Sequence, residues 1–260
     1  MIMKKLLFTF VLGVIASTVS FAQETKNQNI EVEYVCDVII DYEQTMKNIP
    51  SQYRSQFAEP LKAEIARGIS MNFFLKNNGK YSSFEIVEKI SNSQNQVGFI
   101  EQQIRASESK PYYKDFTVNP PIYYKEADFG VKKFLIKDQI PDFKWKITRE
   151  KSDIAGYKVT KAEGVMMDSI QVKAWYTSDI AIKDGPTYIS GLPGLIIKAE
   201  FEANGGKLVY TLKDIKITDK ELKITMPTKG NIVTQDEFMA EMKKLQEQYK
   251  EMMSSGVDTN

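Results

Sequence analysis

The sequence predicts a mainly β fold, a curved antiparallel sheet or half-barrel with an N-terminal helical segment and a C-terminal helix. Apolar and polar residues alternate with a period of two in many short stretches, as expected for strands with one buried face. Asparagine- and glycine-rich turns separate several of these stretches at the spacing of hairpins. Helical periodicity is concentrated in two places, residues 41–67 and 234–254. These three observations together indicate an α+β protein in which strands predominate.

Residues 1–22 have the features of a Sec-type signal peptide. Two early lysines supply the positive start, residues 6–16 the apolar run, and residues 20–22 a small-x-small cleavage site. The apolar run is shorter than the roughly 20 residues that a membrane-spanning helix needs. We therefore expect an exported chain with no transmembrane span after signal removal, located in the periplasm or on the outer cell surface. Residues 23–260 are expected to form a single domain.

The composition excludes several classes of protein. A formal net charge of +1 over 260 residues lacks the electrostatic footprint of a nucleic-acid-binding protein. Because the chain contains no histidine, it has no Ser-His or Cys-His nucleophile and no histidine metal ligand. The single cysteine, Cys36, cannot form an internal disulfide, and its place on the apolar face of a predicted strand indicates a buried, unreactive thiol. The sequence thus predicts a protein without a catalytic residue, a cofactor or a metal site.

The first predicted elements are a strand at residues 31–40 and a helical segment at residues 41–67. Alternating apolar side chains mark the strand, and apolar spacings of three and four mark the helices. Pro50 and Pro60 are expected to divide the segment into two or three short helices, each proline near a first turn, where its missing N–H costs little. This helical segment either covers the sheet as a cap or forms a mobile lid.

A hairpin follows, with strands at residues 71–75 and 81–88 joined by the turn Asn77-Asn78-Gly79. Residues 91–111 are polar and weakly periodic, which predicts a long loop or a pair of weak strands. Two tyrosine pairs flank Pro120-Pro121 and are typical either of half-buried strands or of an exposed aromatic patch. Further strands are expected at residues 133–137, 143–149, 157–162, 170–177, 197–202, 207–213 and 215–224.

The C-terminal helix is predicted to begin with a capping box. Thr234 and Glu237 have the spacing at which each side chain accepts a hydrogen bond from the other's backbone N–H. The apolar stripe of this helix is narrow and rich in methionine, so the helix packs either on its own domain or on a partner.

One pair of carboxylates has the arrangement required for acid–base chemistry. Glu200 and Glu202 project from the same face of a predicted strand. The same face also carries Lys198, and a solvated strand face with paired charges is the simpler interpretation.

The chain is organised around a corner at residues 191–196, which read Gly-Leu-Pro-Gly-Leu-Ile. Pro193 presets φ for the second position of a type II turn, and Gly194 accepts the positive φ of the third position. Because strands are predicted on both sides, the corner is interpreted as structural. The residues assigned to this structural motif are Gly185, Pro186, Gly191, Leu192, Pro193, Gly194 and Leu195.

The hexapeptide at residues 191–196 resembles the signature of the GLPGLI family of exported proteins. Further matching residues are Trp145, 154–157, 174–177 and Gly185-Pro186. The resemblance covers residues 143–202 and implies a place in the envelope of bacteria with an outer membrane, often beside outer-membrane transport receptors. It also implies a curved sheet with helices over its concave face, similar to periplasmic lipoprotein carriers of the LolA type. The family has no established activity, so the resemblance names no reaction.

The leading hypothesis is a non-catalytic binding protein that holds a lipid, a lipidated segment or a peptide in an apolar groove. A binding site also needs polar groups, and the nearest candidates are Asp184, Tyr188 and Ser190 before the corner, with Trp175 in the preceding strand. The alternative is a structural accessory protein that docks on an outer-membrane receptor, transport or secretion complex through residues 234–254.

Overall fold

The computed structural model describes residues 29–88, 97–129, 132–166, 170–203 and 205–255. The predicted signal peptide at residues 1–22 lies outside these ranges. The described residues form twelve β-strands and four α-helices, and the strands belong to one sheet. The prediction of a mainly β fold is therefore confirmed.

The strands are long in the centre of the sheet and short at one edge. They are β1 (Asn29–Ile40), β2 (Ile69–Asn77), β3 (Tyr81–Ile86), β4 (Tyr112–Asp115), β5 (Ile122–Asp128), β6 (Lys133–Gln139), β7 (Lys146–Ile154), β8 (Tyr157–Met166), β9 (Ile170–Thr177), β10 (Leu195–Ala203), β11 (Gly206–Thr218) and β12 (Asn231–Val233). Their order in the sheet is β12-β6-β5-β4-β3-β2-β1-β11-β10-β9-β8-β7. The paired strands are antiparallel, except that β12 runs parallel to β6. The sheet is open, because β12 and β7 form two separate edges.

The helices are α1 (Tyr42–Asn48), α2 (Arg54–Arg67), α3 (Phe99–Ser107) and α4 (Gln235–Ser255), with a short 3₁₀ turn at Ser51–Tyr53. The predicted capping box at the start of α4 is confirmed. The N–H of Thr234 donates to Oε2 of Glu237 at 2.8 Å, and the N–H of Glu237 donates to Oγ1 of Thr234 at 3.2 Å.

Strand β1 lies near the middle of the sheet, and its side chains show the predicted alternation. Val32, Tyr34 and Cys36 are buried, whereas the residues between them are partly exposed. Burial is also the main cause that raises the pKa of the Cys36 thiol to about 12. The thiol therefore stays protonated at neutral pH, and the prediction of a buried cysteine is confirmed.

Pro60 does not interrupt the helical segment as predicted. It lies in the interior of α2, because that helix begins at Arg54, directly after the 3₁₀ turn. A proline inside a helix frees the carbonyl group four residues earlier, here that of Gln56. Gln56 is exposed, so water can satisfy the freed carbonyl group. Only Leu61 and Glu64 of α2 are buried.

Residues 91–111 differ from the predicted loop or weak strands, since their central part forms α3. The N-terminus of α3 is capped by Glu64 of α2, whose carboxylate accepts hydrogen bonds from the N–H groups of Ile100 at 3.1 Å and Glu101 at 2.9 Å. Gly98 leaves room for this contact, because a Cβ atom there would overlap the Glu64 carboxyl group. The cap comes from a residue 36 positions earlier in the chain, so the local pattern does not contain it.

Two strand boundaries also differ from the prediction. Strand β11 ends at Thr218, and residues 221–229 form no regular element. There the carbonyl oxygen of Leu222 accepts a hydrogen bond from the Asn78 side chain rather than from a strand partner. Strand β7 begins only at Lys146, because the preceding Lys144 has a positive φ of 49°, which interrupts extended backbone.

Candidate binding site

The loop at residues 178–194, here called the core loop, connects β9 to β10 and packs on the face of the sheet that carries the hydrophobic core. Its ends are fastened by two backbone hydrogen bonds, from Leu195 N to Ile180 O at 3.1 Å and from Ile196 N to Asp184 O at 3.0 Å. A bridge between Asp184 and Ser190 closes its middle part. The core loop is therefore a folded part of the core rather than an extended connection.

The corner of the core loop differs from the predicted type II turn. The N–H of Gly194 donates to the carbonyl oxygen of Leu192 at 2.8 Å, which forms a three-residue γ-turn centred on Pro193. Gly191, and not Gly194, has the left-handed backbone, with φ of 90°. Gly194 is needed because a Cβ atom at this position would overlap the carbonyl oxygen of Thr177. The corner therefore depends on the close approach of the Gly194 backbone to the backbone of Thr177.

Asp184 forms a buried ion pair with Lys114 of β4. Nζ of Lys114 lies 2.5 Å from Oδ1 of Asp184, and neither side chain is exposed. Lys114 also donates to the carbonyl oxygen of Gly185 at 2.8 Å, and Nδ2 of Asn77 in β2 donates to Oδ2 of Asp184 at 2.7 Å. Burial lowers the pKa of Lys114, although the Asp184 carboxylate opposes this shift. The cluster ties the core loop to two separate strands.

An open cavity of about 360 Å³, here called the apolar cavity, lies between the sheet and helices α1 and α3. Strands β1 and β11 contribute more of its lining than any other element, and Thr45 and Ile100 approach from α1 and α3. Its apolar side chains include Val38, Ile40, Ile170, Phe201 and Leu208.

A second open cavity, of about 570 Å³, lies on the side of β5 and α4 and is here called the second cavity. Tyr112 and Tyr188 line both cavities and form the wall between them. The polar side chains around the second cavity include Gln103, Ser107, Ser109, Lys110, Lys125, Glu126, Asp128 and Gln235.

Tyr188 of the core loop lies among the aromatic residues of β4 and β5. Its ring stacks on Tyr123 with 5.1 Å between centroids and contacts Tyr112 at 5.6 Å. Its hydroxyl group donates to the sulfur of Met166 at 3.1 Å. Burial, followed by the nearby Glu108 carboxylate, raises the pKa of Tyr188 to about 12. The phenol is therefore neutral at physiological pH and offers an aromatic wall to both cavities.

A polar cluster adjoins this wall. Oε1 of Glu108 accepts a hydrogen bond from the Tyr112 hydroxyl group at 3.2 Å, and Oε2 of Glu108 lies 3.4 Å from Nζ of Lys125. Nζ of Lys125 also lies 3.6 Å from the centroid of the Tyr112 ring, a cation–π contact. Burial lowers the pKa of Lys125, and Glu108 opposes this shift.

Sequence reasoning missed Lys114 and Lys125. Each lies two residues after a tyrosine, Tyr112 or Tyr123, and therefore on the same strand face as that buried ring. A lysine on an otherwise aromatic strand face is the signal from which these positions could have been found.

The other two residues predicted to bind a ligand have contacts outside the cavities. The carbonyl oxygen of Ser190 accepts a hydrogen bond from Nε1 of Trp145 at 2.9 Å. Trp175 lies on the opposite face of the sheet, and its ring lies between the amines of Lys161 and Lys198, at 5.9 and 4.6 Å from the centroid. The four predicted residues therefore do not form one cluster. Three lie in the core loop, and its tyrosine lines both cavities.

The predicted carboxylate pair on β10 is engaged by lysines. Glu200 lies 2.7 Å from Lys198 and 3.7 Å from Lys207, and Glu202 lies 3.6 Å from Lys173. In the described part of the chain, no group of His, Cys, Asp and Glu is placed to hold a metal ion. Among the same residues, no helix is long and apolar enough to cross a membrane.

Solved structures that match the chain include two crystal forms of PNGF-II. One shares 18% sequence identity at a TM-score of 0.46, covering 75% of this chain and 28% of that chain. The other shares 20% sequence identity at a TM-score of 0.45, covering 75% of this chain and 29% of that chain. An uncharacterized conserved protein from Thermus thermophilus shares 8% identity at a TM-score of 0.33, covering 78% and 91%. The chain thus spans less than a third of the length of PNGF-II.

A comparison with curated proteins gives no match. A family model described as the N-terminal domain of the N-glycanase PNGase F-II matches residues 71–241. This match includes β3 to β12, the core loop and the first residues of α4. Because it extends over more than half of the chain, the protein belongs to the PNGase F-II N-terminal domain family.

Proposed function

We propose that this chain is an exported, non-catalytic binding domain that holds the apolar part of a ligand in the apolar cavity. The observation that carries the proposal is the open, mainly apolar cavity of about 360 Å³ between the sheet and the helices. Ligand pockets in proteins typically have volumes of about 300–1,000 Å³ and a mainly apolar lining. The size and lining of this cavity therefore suit one apolar chain or a few apolar side chains.

The lining favours an apolar group over a sugar. Burial of apolar surface stabilises a complex by about 25 cal/mol per Å². A sugar hydroxyl group that loses water without gaining a partner costs about 1–3 kcal/mol. The charged groups at the cavity already have partners, since Glu108 contacts Lys125 and Lys207 lies near Glu200. A lipid, a lipidated segment or an apolar peptide is thus the ligand class that we propose.

Two further considerations support a binding role without catalysis. The matching family model is that of the N-terminal domain of an N-glycanase and does not represent the whole enzyme. The carboxylate pair of Glu200 and Glu202, the arrangement that acid–base cleavage would use, is engaged by lysines. We propose that cleavage of glycans is not an activity of this chain by itself. The GLPGLI resemblance and the periplasmic or cell-surface location are part of the same proposal.

Native mass spectrometry of the protein purified from its own cell envelope tests this function. We expect an added mass that is released by organic solvent and that fragments as a lipid or an apolar peptide. A ligand-free mass, together with no uptake of a fluorescent long-chain fatty acid or of apolar peptides, would overturn the proposal. Uptake of free N-glycan alone would also contradict it.

The alternative function, a structural accessory that docks through α4, is favoured by one observation. The described ring contacts of α4 are made in its first turn, where Phe238 lies 6.1 Å from Phe129 and 5.6 Å from Phe134. Met239 beside it is 57% exposed. If α4 docks on an outer-membrane receptor or envelope complex, deletion of residues 234–260 should abolish co-purification of that partner while the sheet stays folded. Retention of the partner would contradict the alternative.

A further inference from the structure

Three buried polar residues lie in a row across β4, β3 and β2. Lys114 is opposite Ser82, and Ser82 is opposite Asn77. Opposite residues of antiparallel strands project from the same face, and neighbouring strands lie about 4.8 Å apart. The side chains of Lys114 and Asn77 therefore face each other above the small Ser82. Their exposed fractions are 0% for Lys114, 0% for Ser82 and 1% for Asn77.

The serine in this row has an unsatisfied side chain. Oγ of Ser82 is buried and has no hydrogen-bond partner among the residues that the structure describes. Buried hydroxyl groups in folded proteins are almost always paired, because an unpaired one retains its full desolvation cost. Because Ser82 lies between Lys114 and Asn77, its hydroxyl group is next to any polar group that those two side chains could form together.

Asp184 of the core loop contacts both outer members of the row. Its Oδ1 lies 2.5 Å from Nζ of Lys114, and its Oδ2 accepts a hydrogen bond from Nδ2 of Asn77 at 2.7 Å. The other end of the Asn77 carboxamide, Oδ1, accepts a hydrogen bond from the N–H of Gly79 at 2.6 Å. The Asp184 carboxylate thus contacts both the Lys114 amine and the Asn77 carboxamide. The N–H of Gly79 polarises the carbonyl group of that carboxamide.

We propose that Lys114 and Asn77 are joined by an intramolecular amide bond, and that the structure shows the reactants before they are linked. Nζ of Lys114 is the nucleophile, Cγ of Asn77 is the electrophile, and Asp184 carries the protons. The bond would connect β2 to β4 across β3.

The reaction balances without any other reagent. Asp184 takes a proton from the Lys114 ammonium group, and the neutral Nζ attacks Cγ of Asn77. The negative charge develops on Oδ1 of Asn77, where the N–H of Gly79 stabilises it. Asp184 delivers its proton to Nδ2 of Asn77 and accepts one from the new Nζ–Cγ linkage. The Cγ–Nδ2 bond then breaks and releases ammonia. The remaining proton stays on Asp184 or leaves with the ammonia as ammonium.

The surroundings favour this reaction over a permanent ion pair. Burial lowers the pKa of Lys114 and so increases the neutral, nucleophilic fraction of the amine. The burial of all three side chains protects the new amide from hydrolysis. The new amide would lie above Ser82, whose buried hydroxyl group has no hydrogen-bond partner among the described residues.

Mass spectrometry of a proteolytic digest tests the proposal on the purified wild-type chain. We expect one cross-linked peptide that contains Lys114 and Asn77 and is lighter than the two separate peptides by one ammonia molecule. Recovery of the two peptides unlinked from folded protein would overturn the proposal. A link between Lys114 and Asp184 with loss of one water molecule would also overturn it, because Asp184 would then be the electrophile.

Variants separate the roles of the three residues. Lys114→Met removes the nucleophile, and Asp184→Asn keeps the shape of the proton carrier without its charge. Both should abolish the link. Lys125→Met, which replaces a partly buried lysine on the neighbouring strand β5, should leave the link intact. Thermal unfolding shows which variants are folded. If folded Asp184→Asn protein still forms the link, Asp184 does not have the assigned role; if a variant does not fold, the wild-type digest still decides the question.

Discussion

Gly194 of the core loop packs directly on the carbonyl oxygen of Thr177 in β9, so closely that a Cβ atom at Gly194 would overlap it. Both residues are next to β-structure, since Thr177 ends β9 and Leu195 begins β10. The contact brings the end of one strand against the start of its neighbour. The corner therefore depends on the absence of a side chain rather than on an unusual φ at Gly194.

Gly194→Ala should destabilise the protein by about 3 kcal/mol, the upper range for overpacking, because the obstacle is backbone that cannot rotate away. Gly156→Ala is the matched control. Gly156 has φ of 81° but open space around its Cβ position, so only backbone strain of about 1–2 kcal/mol is expected. Urea unfolding of both variants measures the difference. Equal costs would contradict the close approach at Gly194.

Compared with the protein in which Lys114 and Asn77 are not linked, Lys114→Met should destabilise the fold by about 3–5 kcal/mol, because the substitution leaves the Asp184 carboxylate buried without a counter-charge. The double variant Lys114→Met with Asp184→Asn removes the charge as well as its partner. Its amide can keep the contact with Asn77, so the double variant should be more stable than the single one. Chemical unfolding curves check this order, and the reverse order would show that the ion pair does not hold the core loop.

Local patterns were sufficient to predict much of the sheet. The turn at Asn77-Asn78-Gly79 and the alternation along β1 and β10 depend on neighbouring residues and on which face is buried, and all of them are seen in the structure. The capping box of α4 is local in the same sense, since its two residues are three positions apart. Such features are encoded within a few residues of where they act.

The features that sequence reasoning missed depend on distant partners. Helix α3 is capped by Glu64, and Lys114 binds the carbonyl oxygen of Gly185, 71 positions away. Because Pro193 precedes it, Gly194 is predicted from the sequence to be a turn glycine. Its contact in the fold is instead the backbone of Thr177, at the other end of the core loop. A cavity is formed in the same way, by residues from several strands and helices. Only the assembled fold shows these contacts.

Tyr188→Phe should reduce the loss of stability at alkaline pH. The pKa of Tyr188 is raised from 10.0 to about 12 in the folded protein, so between pH 10 and 12 the unfolded chain releases a proton that the folded chain keeps. The free energy of unfolding therefore falls as pH rises through this window, and the phenylalanine variant lacks this contribution. The exposed Tyr53, replaced by Phe, is the control. Unfolding curves at several pH values provide the measurement, and parallel losses in both variants would contradict burial of Tyr188.

Leu208→Trp should block the apolar cavity. Leu208 lies on β11 opposite Phe201 and Val38, which also line the cavity, so an indole at this position extends into the space that the ligand would occupy. We expect at least a tenfold weaker uptake of a fluorescent fatty acid, which corresponds to about 1.4 kcal/mol of binding free energy. Overpacking costs stability as well, about 1–3 kcal/mol, so folding is checked by thermal unfolding.

Ile217→Trp is the matched control for this experiment, because Ile217 lies on the same strand, is 55% exposed and is not part of the cavity lining. It introduces the same indole outside the cavity and should leave uptake unchanged. If both variants bind the probe equally well, the apolar cavity is not where the ligand lies. If both lose binding while remaining folded, the probe binds along β11 outside the cavity, and the proposed site is wrong.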